Sequence, residues 1–156
     1  MFKDPISVVF IGVALAAALP GVGSACGVHS AGKAAAGVVS DKPELFGKLL
    51  VLQALPGTQG IYGFLGAVLI LVRSGVLGGG ASALTLTTAY AYATSGLAIA
   101  IGGLLSGIYQ GRVAASSILM TAKQPDASAR GITMTALVET YAILALLVSI
   151  LALFSI

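Results

Sequence analysis

The sequence predicts an all-α membrane protein whose four transmembrane helices derive from a duplicated helical hairpin. Three observations support this fold class: charged residues are scarce, four long segments are almost free of charge, and the two halves of the chain resemble each other. Only 8% of the 156 residues are charged, and the mean hydropathy is +1.05. Because soluble domains carry roughly 25% charged residues, so few charges could not cover a water-facing surface of ordinary size.

Four segments are long and apolar enough to cross a membrane. A helix needs about 20 apolar residues to span the roughly 30 Å hydrocarbon core. The segments without Asp, Glu, Lys or Arg, except for one glutamate in the last, are residues 5–32, 49–72, 74–111 and 131–156. The helices predicted around them cover residues 6–39, 46–73, 84–121 and 128–154. We expect the first to be retained, because no good signal-peptide cleavage site follows it.

The basic residues predict the orientation in the cell membrane. Six of the eight lie near the connections between helices 1 and 2 and between helices 3 and 4, namely Lys33, Lys42, Lys48, Arg112, Lys123 and Arg130. Lys3 and Arg73 lie on the other side. By the positive-inside rule, both connections are cytoplasmic and both termini are outside. The basic residues form no patch, so we expect no nucleic-acid partner.

The two halves of the chain align when the sequence is shifted by 82 residues. The shift places Pro43 on Pro125, Glu44 on Asp126, Ala54 on Ala136, Leu55 on Leu137 and Thr58 on Thr140. Gly57 then falls on Glu139, so only the second copy keeps an acid. We predict a single membrane domain, residues 1–156, in which the repeats 1–73 and 84–156 are joined by a glycine-rich loop, residues 74–83.

Glycines recur every fourth residue in predicted helices 1 and 3. These rows contain Gly23 and Gly27 in helix 1, and Gly103, Gly107 and Gly111 in helix 3. Residues four apart share a helix face, and small residues let membrane helices approach closely. Four helices offer little room for two such grooves within one chain, so we expect a homo-oligomer. The alternative is a glycine-rich bundle that packs only within itself.

Glu139 is the one acid inside a predicted transmembrane segment. It lies about 16 Å from the cytoplasmic end of helix 4, which is the middle of the bilayer. A charged side chain there costs at least about 2.5 kcal/mol, and such residues are functional by default. No basic residue in the chain lies at a similar depth. Glu139 must therefore be protonated, hold a metal ion or meet a cation from another subunit. The purely structural alternative is a neutral acid in a helix–helix hydrogen bond.

Other oxygen-bearing groups lie close to the depth of Glu139. Counted from the two connections, the side chains at this depth or within one turn of it are those of Thr58, Gln59, Tyr62 and Gln110. Pro56 lacks an N–H and is expected to free backbone oxygens between Gln53 and Leu55. Such a set suits a hard alkali cation, whereas a transition metal would prefer His or Cys. A site for protons alone needs only a carboxyl group and one acceptor, so the surplus favours Na⁺.

Three segments together resemble a known family. They are residues 55–63 (LPGTQGIYG), 107–115 (GIYQGRVAA) and 138–142 (VETYA). The chain resembles, over essentially its whole length, the proteolipid subunit (subunit K, or c) of V-type rotary ATPases, and in particular the bacterial, sodium-translocating branch. The resemblance implies that four-helix subunits assemble into a membrane ring, with helices 1 and 3 as its inner wall.

The resemblance also implies a role for each site residue. Glu139 would be the ion-carrying carboxylate. The implied Na⁺ ligands are the backbone carbonyl of Leu55 and the side chains of Thr58, Gln59, Gln110 and Glu139. Tyr62 would hydrogen-bond Glu139 and close the site. Proton-driven relatives keep the glutamate but generally lack the full glutamine and threonine set, so Na⁺ is expected. A ring of the same family that translocates H⁺ is the alternative.

The implied partners are identical subunits in the ring, a static membrane subunit whose arginine displaces the ion, and a central shaft subunit facing Lys42 and Lys123. ATP hydrolysis or synthesis would occur in partner subunits. The chain has no phosphate-binding loop and no nucleophile paired with a base, so we expect it not to be an enzyme itself. Two further alternatives are a structural ring or pore without ion coupling, and a stand-alone secondary transporter.

Overall fold

The computed structural model describes residues 4–79 and 83–156, and the regular structure within them is helical throughout. The α-helices are α1 (Pro5–Asp41), α2 (Phe46–Ala54), α3 (Thr58–Arg73), α4 (Leu86–Ser95), α5 (Leu97–Lys123) and α6 (Ser128–Phe154). Within the described residues they form four spans long and apolar enough to cross a membrane, which are Pro5–Asp41, Pro43–Arg73, Leu86–Lys123 and Pro125–Phe154. The predicted all-α fold with four membrane helices is confirmed. Lys3, used to predict the orientation, lies outside the described residues.

The connections after α1 and α5 are shorter than predicted. Only Lys42 and Gln124 leave the helical conformation, with φ values of −136° and −137°. Pro43 and Pro125 then each start a 3₁₀ turn that leads into the next helix. The missing N–H and fixed φ of proline suit the first position of a helix, so each proline belongs to the helix start and not to a loop.

Two lysines form hydrogen bonds between these two connections. Lys42 Nζ donates to the Ala122 carbonyl oxygen near the end of α5 at 2.5 Å, and Lys48 Nζ donates to the Pro125 carbonyl oxygen at 3.0 Å. The last carbonyl groups of a helix lack donors within the helix, and a cation there also interacts favourably with the helix dipole. Both connections therefore lie at one end of the bundle. The side of the membrane that this end faces stays a prediction.

The third span begins later than predicted and is interrupted once. The Thr85 side chain caps α4 in a reciprocal pair of hydrogen bonds with Thr88, which sets the start of the helix. At Gly96 the α-helical pattern breaks between α4 and α5. A Cβ atom added to Gly96 would lie 2.9 Å from Ile70 Cδ1, so the glycine allows the second and third spans to approach closely.

Glycines also shape the loop between the hairpins. Gly75 and Gly79 have φ values of 73° and 75°, a left-handed conformation that glycine adopts without strain. They flank the 3₁₀ turn Val76–Gly78. Residues 80–82 of the predicted glycine-rich loop lie outside the described residues.

The two glycine rows pack against each other inside the chain. A Cβ atom added to Gly23 would lie 2.8 Å from Leu104 Cα, and one added to Gly107 would lie 2.6 Å from the carbonyl carbon of Gly23. Gly27 and Gly111 meet in the same way. The expectation that one chain could not use both rows internally is wrong, because α1 and α5 face each other directly. The rows therefore do not by themselves indicate an oligomer.

The helices form a central pair with two outer layers. The central pair consists of the first span (α1) and the third span (α4 with α5), whereas the second span (α2 with α3) and the fourth span (α6) lie on the outside. Because α3 packs against α1, α5 and α6, four helices meet in the middle of the bundle. The last span is the least covered, with 17% of its most apolar window buried against 33–39% in the others. Most of α6 therefore presents apolar surface outwards.

Gly27→Ala is expected to destabilise the bundle, because the added methyl group would press on backbone atoms of α5 and lie 2.7 Å from Pro56 Cβ. Overpacking costs about 1–3 kcal/mol, and we expect the upper end because backbone cannot move aside. Gly47→Ala is the control, since a Cβ atom there meets nothing within 4 Å. Alanine should stabilise that exposed helical position by about 0.5–1 kcal/mol. Unfolding in mixed detergent and SDS measures both variants, and equal stabilities would contradict the close α1–α5 contact.

Candidate functional site

Glu139 lies on α6 where this helix meets α3 and α5, and its side chain is half-buried. The Tyr62 hydroxyl on α3 donates to Glu139 Oε1 at 2.5 Å. The Gln110 amide on α5 donates to Glu139 Oε2 at 3.5 Å. Hydrogen bonds gain electrostatic strength in surroundings of low dielectric constant. The carboxyl group is thus held at the meeting point of three helices by donors from the other two.

Two buried glutamine side chains join α3 to α5, and each is 0% exposed. Gln59 Nε2 donates to Gln110 Oε1 and, at 3.2 Å, to the Ser106 hydroxyl. Gln110 Nε2 also donates to the Thr135 carbonyl oxygen of α6 at 3.2 Å. A buried amide without partners would cost about 1–3 kcal/mol, so these contacts fix the orientation of both side chains. Gln110 presents its nitrogen to the carboxyl group and its oxygen to Gln59.

Pro56 tightens the helix between α2 and α3 into a 3₁₀ turn without unwinding it. The Leu55 carbonyl oxygen accepts the Thr58 N–H and, at 3.0 Å, the Thr58 hydroxyl. Thr58 Oγ1 also lies 3.5 Å from Gln59 Oε1. The prediction that the proline leaves carbonyl oxygens free is wrong for Leu55, because Thr58 occupies that oxygen.

All six predicted site residues belong to one continuous set of polar contacts. From the carboxyl group outwards, its members are Glu139, Tyr62, Gln110, Gln59, Thr58 and Leu55. Tyr62 and Gln110 contact Glu139 directly, and Gln59 contacts Gln110. Thr58 and Leu55 lie at the far end of the set. The spatial grouping is a feature of the structure, whereas the roles of these residues as ion ligands stay predictions.

Two serines that hold this set in place were not predicted from the sequence. Ser106 accepts from Gln59 Nε2 and donates to the Val138 carbonyl oxygen at 3.0 Å, which links α5 to α6. The Ser24 hydroxyl on α1 accepts the Gly60 N–H at 2.8 Å. Ser106 lies four residues before a predicted site glutamine, on the same helix face, and this spacing is the signal that identifies it.

The polar groups around Glu139 are hydroxyl, amide and carbonyl groups. In the described part of the chain, every buried side-chain nitrogen or oxygen has a hydrogen-bond partner. Arg112 is exposed, with its guanidinium 5.2 Å from the centre of the Tyr109 ring. One carboxyl group with hydroxyl, amide and carbonyl oxygens is a set that suits a proton or a hard alkali cation.

The chain is similar to known subunits of rotary ATPases and ATP synthases. A family model described as the C-subunit of ATP synthase matches the chain twice, at residues 11–70 and 93–152. The V-type sodium ATPase subunit K of Enterococcus hirae is 44% identical over 141 residues, which cover 90% of this chain and 86% of that protein. The A-type ATP synthase subunit K of Methanocaldococcus jannaschii is 42% identical over 151 residues, which cover 97% of this chain and 65% of that protein.

Tyr62→Phe is expected to speed up the reaction of Glu139 with a hydrophobic carbodiimide, because the carboxyl group loses the hydroxyl that holds it. A hydrogen bond to a charged group is worth about 1.5–3 kcal/mol, so we expect roughly a tenfold or greater increase in rate. Tyr92→Phe is the matched control, since its hydroxyl donates to the Arg73 carbonyl oxygen at 3.1 Å, away from the site. Labelling time courses followed by mass spectrometry measure the rates, and equal rates in the two variants would rule out this role for Tyr62.

Proposed function

The chain belongs to the ATP synthase C-subunit family, and we propose that it is the rotor-ring proteolipid of a V-type ATPase that carries Na⁺ across the membrane. The family forms rings, and the relative from Enterococcus hirae is a subunit of a sodium ATPase. The observation that carries the proposal is a single carboxyl group, held between three spans long enough to cross a membrane, with hydroxyl and amide groups around it.

The proposed Na⁺ site uses oxygen atoms that are engaged in internal hydrogen bonds. Its ligands are the Leu55 carbonyl oxygen and the side-chain oxygens of Thr58, Gln59, Gln110 and Glu139. Gln110 Oε1 accepts from Gln59, and the Leu55 oxygen accepts from Thr58. Ion binding would exchange these hydrogen bonds for Na⁺–oxygen contacts, chiefly by rotation of the Gln59 amide. Both the loaded and the empty site would then keep their buried polar atoms satisfied.

Closure of the site would let the ring face lipid. The Tyr62 hydroxyl holds Glu139 in place, and the bound ion neutralises the carboxylate, which lowers the cost of its position in the membrane. At the static membrane subunit, an arginine would displace the ion into a half-channel. The carboxylate would exchange one cation for another and so would not be left uncompensated in a medium of low dielectric constant.

The chain itself would perform no covalent chemistry. ATP hydrolysis or synthesis would take place in other subunits of the complex, coupled through a central shaft. We propose that the two lysine-linked connections, with Lys42 and Lys123, are cytoplasmic and face that shaft, and that both termini lie outside. We also propose that the chain is one membrane domain built from a duplicated hairpin. Because Gly57 stands at the repeat position of Glu139, each chain would carry one ion.

Sodium is expected to protect Glu139 from carbodiimide labelling at constant neutral pH, whereas K⁺ at equal ionic strength is not, because bound Na⁺ keeps the carboxyl group ionised and unreactive. Thr58→Val should raise the half-protecting Na⁺ concentration about tenfold, equivalent to about 1.4 kcal/mol, because it removes one ligand. Thr140→Val is the control, since this repeat equivalent has its hydroxyl 2.8 Å from the Leu137 carbonyl oxygen. If pH alone sets the labelling rate, the ring carries H⁺ and the sodium proposal fails.

A further inference from the structure

The Ser106 hydroxyl on α5 determines which end of the Gln59 amide faces it. Ser106 lies 3.0 Å from the Val138 carbonyl oxygen, and because a carbonyl can only accept, the serine donates its one proton there. Towards Gln59 the same oxygen can therefore only accept. Gln59 Nε2, at 3.2 Å, is the matching donor. The part of the Gln59 amide that faces Ser106 must be the nitrogen and not the oxygen.

This orientation turns the Gln59 amide oxygen towards other oxygen atoms of the proposed Na⁺ site. Gln59 Oε1 lies 3.5 Å from Thr58 Oγ1, which donates to the Leu55 carbonyl oxygen at 3.0 Å. A reversed amide would direct its two N–H groups at these oxygens, and N–H groups repel a cation. The orientation that Ser106 selects is thus the one that offers a ligand to Na⁺.

Two acceptors share the Gln59 nitrogen, and one of them is a proposed ligand. Gln59 Nε2 donates to Gln110 Oε1 as well as to Ser106. When Gln110 Oε1 coordinates Na⁺ instead, Ser106 is the acceptor that Gln59 Nε2 keeps. Both glutamines are 0% exposed, so bulk water cannot replace a lost partner. The bond to Ser106 therefore matters most when the site is loaded with Na⁺.

We propose that Ser106 is a positioning residue that favours Na⁺ over H⁺ by holding the Gln59 amide with its oxygen towards the cation. This inference rests on the proposed function. A proton bound to Glu139 leaves the contact between Gln59 and Gln110 in place, so Ser106 contributes little to the protonated state. In the loaded state it pairs the Gln59 nitrogen. A contact that differs in strength between two bound states shifts the equilibrium between them.

The internal repeat separates this role from simple helix contact. The 82-residue shift places Ser24 on Ser106. The Ser24 hydroxyl accepts the Gly60 N–H at 2.8 Å, and the Ser106 hydroxyl donates to the Val138 carbonyl oxygen, so each serine bonds to the backbone of the outer span in its own hairpin. Ser106 has one further partner, the Gln59 side chain. Helix contact is thus common to both serines, whereas the contact with a site amide belongs to Ser106.

Carbodiimide labelling of Glu139 in rings of the full-length chain tests this role with two titrations. In Ser106→Ala, the Na⁺ concentration that halves the labelling rate at constant pH should rise roughly tenfold, because the loaded site leaves a buried amide nitrogen without an acceptor. The pH of half-maximal labelling without Na⁺ should keep its wild-type value, because Gln110 Oε1 still pairs with Gln59 there. A merely structural serine would change both values or neither.

Two further variants separate the hydrogen bond from side-chain volume and from helix contact. Ser106→Cys keeps most of the volume but offers only a weak sulfur acceptor, so it should weaken Na⁺ protection as Ser106→Ala does. Ser117→Ala removes another buried hydroxyl of α5, which donates to the Gly131 carbonyl oxygen of α6 at 3.2 Å. Ser117 lies about three helical turns from Ser106, so its loss should leave Na⁺ protection unchanged.

The outcomes separate failure of this inference from failure of the proposed function. If Na⁺ protects the wild type and Ser106→Ala equally, the proposed sodium site stands and the inference is overturned. It is also overturned if Ser106→Ala shifts the pH dependence together with Na⁺ protection, if Ser106→Cys is protected like the wild type, or if Ser117→Ala weakens protection as much. Loss of rings in both Ser106 variants, measured by native mass spectrometry, would mark the serine as structural and overturn it too. If Na⁺ does not protect the wild type, the proposed sodium transport and the inference fail together.

Discussion

A carboxyl group within a hydrocarbon layer needs partners, and this need organises the polar groups of the bundle. A charged side chain at the centre of a membrane helix costs about 2.5–3.5 kcal/mol on insertion scales, and Glu139 offsets this through donors on α3 and α5. The donor Gln110 is itself buried, so it requires partners of its own, which Gln59 and Thr135 supply. One carboxyl group therefore specifies contacts across three helices, and a shift of any one of these helices would break several of them.

Close backbone packing brings these side chains within reach of one another. The α1–α5 contact at Gly27 and Gly111 leaves no space for a methyl group, and Pro20 sits so close to Gly63 and Gly103 that added Cβ atoms would lie 2.6 and 2.7 Å from its ring. In lipid, such van der Waals contact replaces the hydrophobic driving force between helices. The glycines allow the two hairpins to approach closely, and the polar side chains between the hairpins then form hydrogen bonds. Helix packing and the polar contacts of Glu139 thus depend on the same helix spacing.

The sequence predicts the four spans and the polar neighbours of Glu139, because charge-free segments and polar residues at one depth can be identified from the order of residues along the chain. It does not predict which surface covers each glycine row, since periodicity identifies a smooth helix face but not its neighbour. Ser106 is missed because only its four-residue spacing from Gln110 marks it in the sequence, whereas its contacts with Gln59 and Val138 form on folding. The effect of Pro56 on the Leu55 carbonyl is mispredicted because the helix tightens into a 3₁₀ turn, in which the Thr58 N–H reaches that oxygen and the Thr58 hydroxyl adds a second donor. Side-chain partners brought together by folding are thus the part that sequence patterns do not contain.

Equilibrium binding of radioactive Na⁺ to purified rings tests most directly whether Glu139 and its polar partners bind the transported ion. Wild-type rings are expected to saturate at one Na⁺ per chain at neutral pH. Glu139→Gln keeps the size of the side chain but removes its charge, so these rings should assemble and bind no Na⁺. Equal saturable binding in the two proteins, or no saturable binding by wild-type rings, would contradict a sodium site built on Glu139.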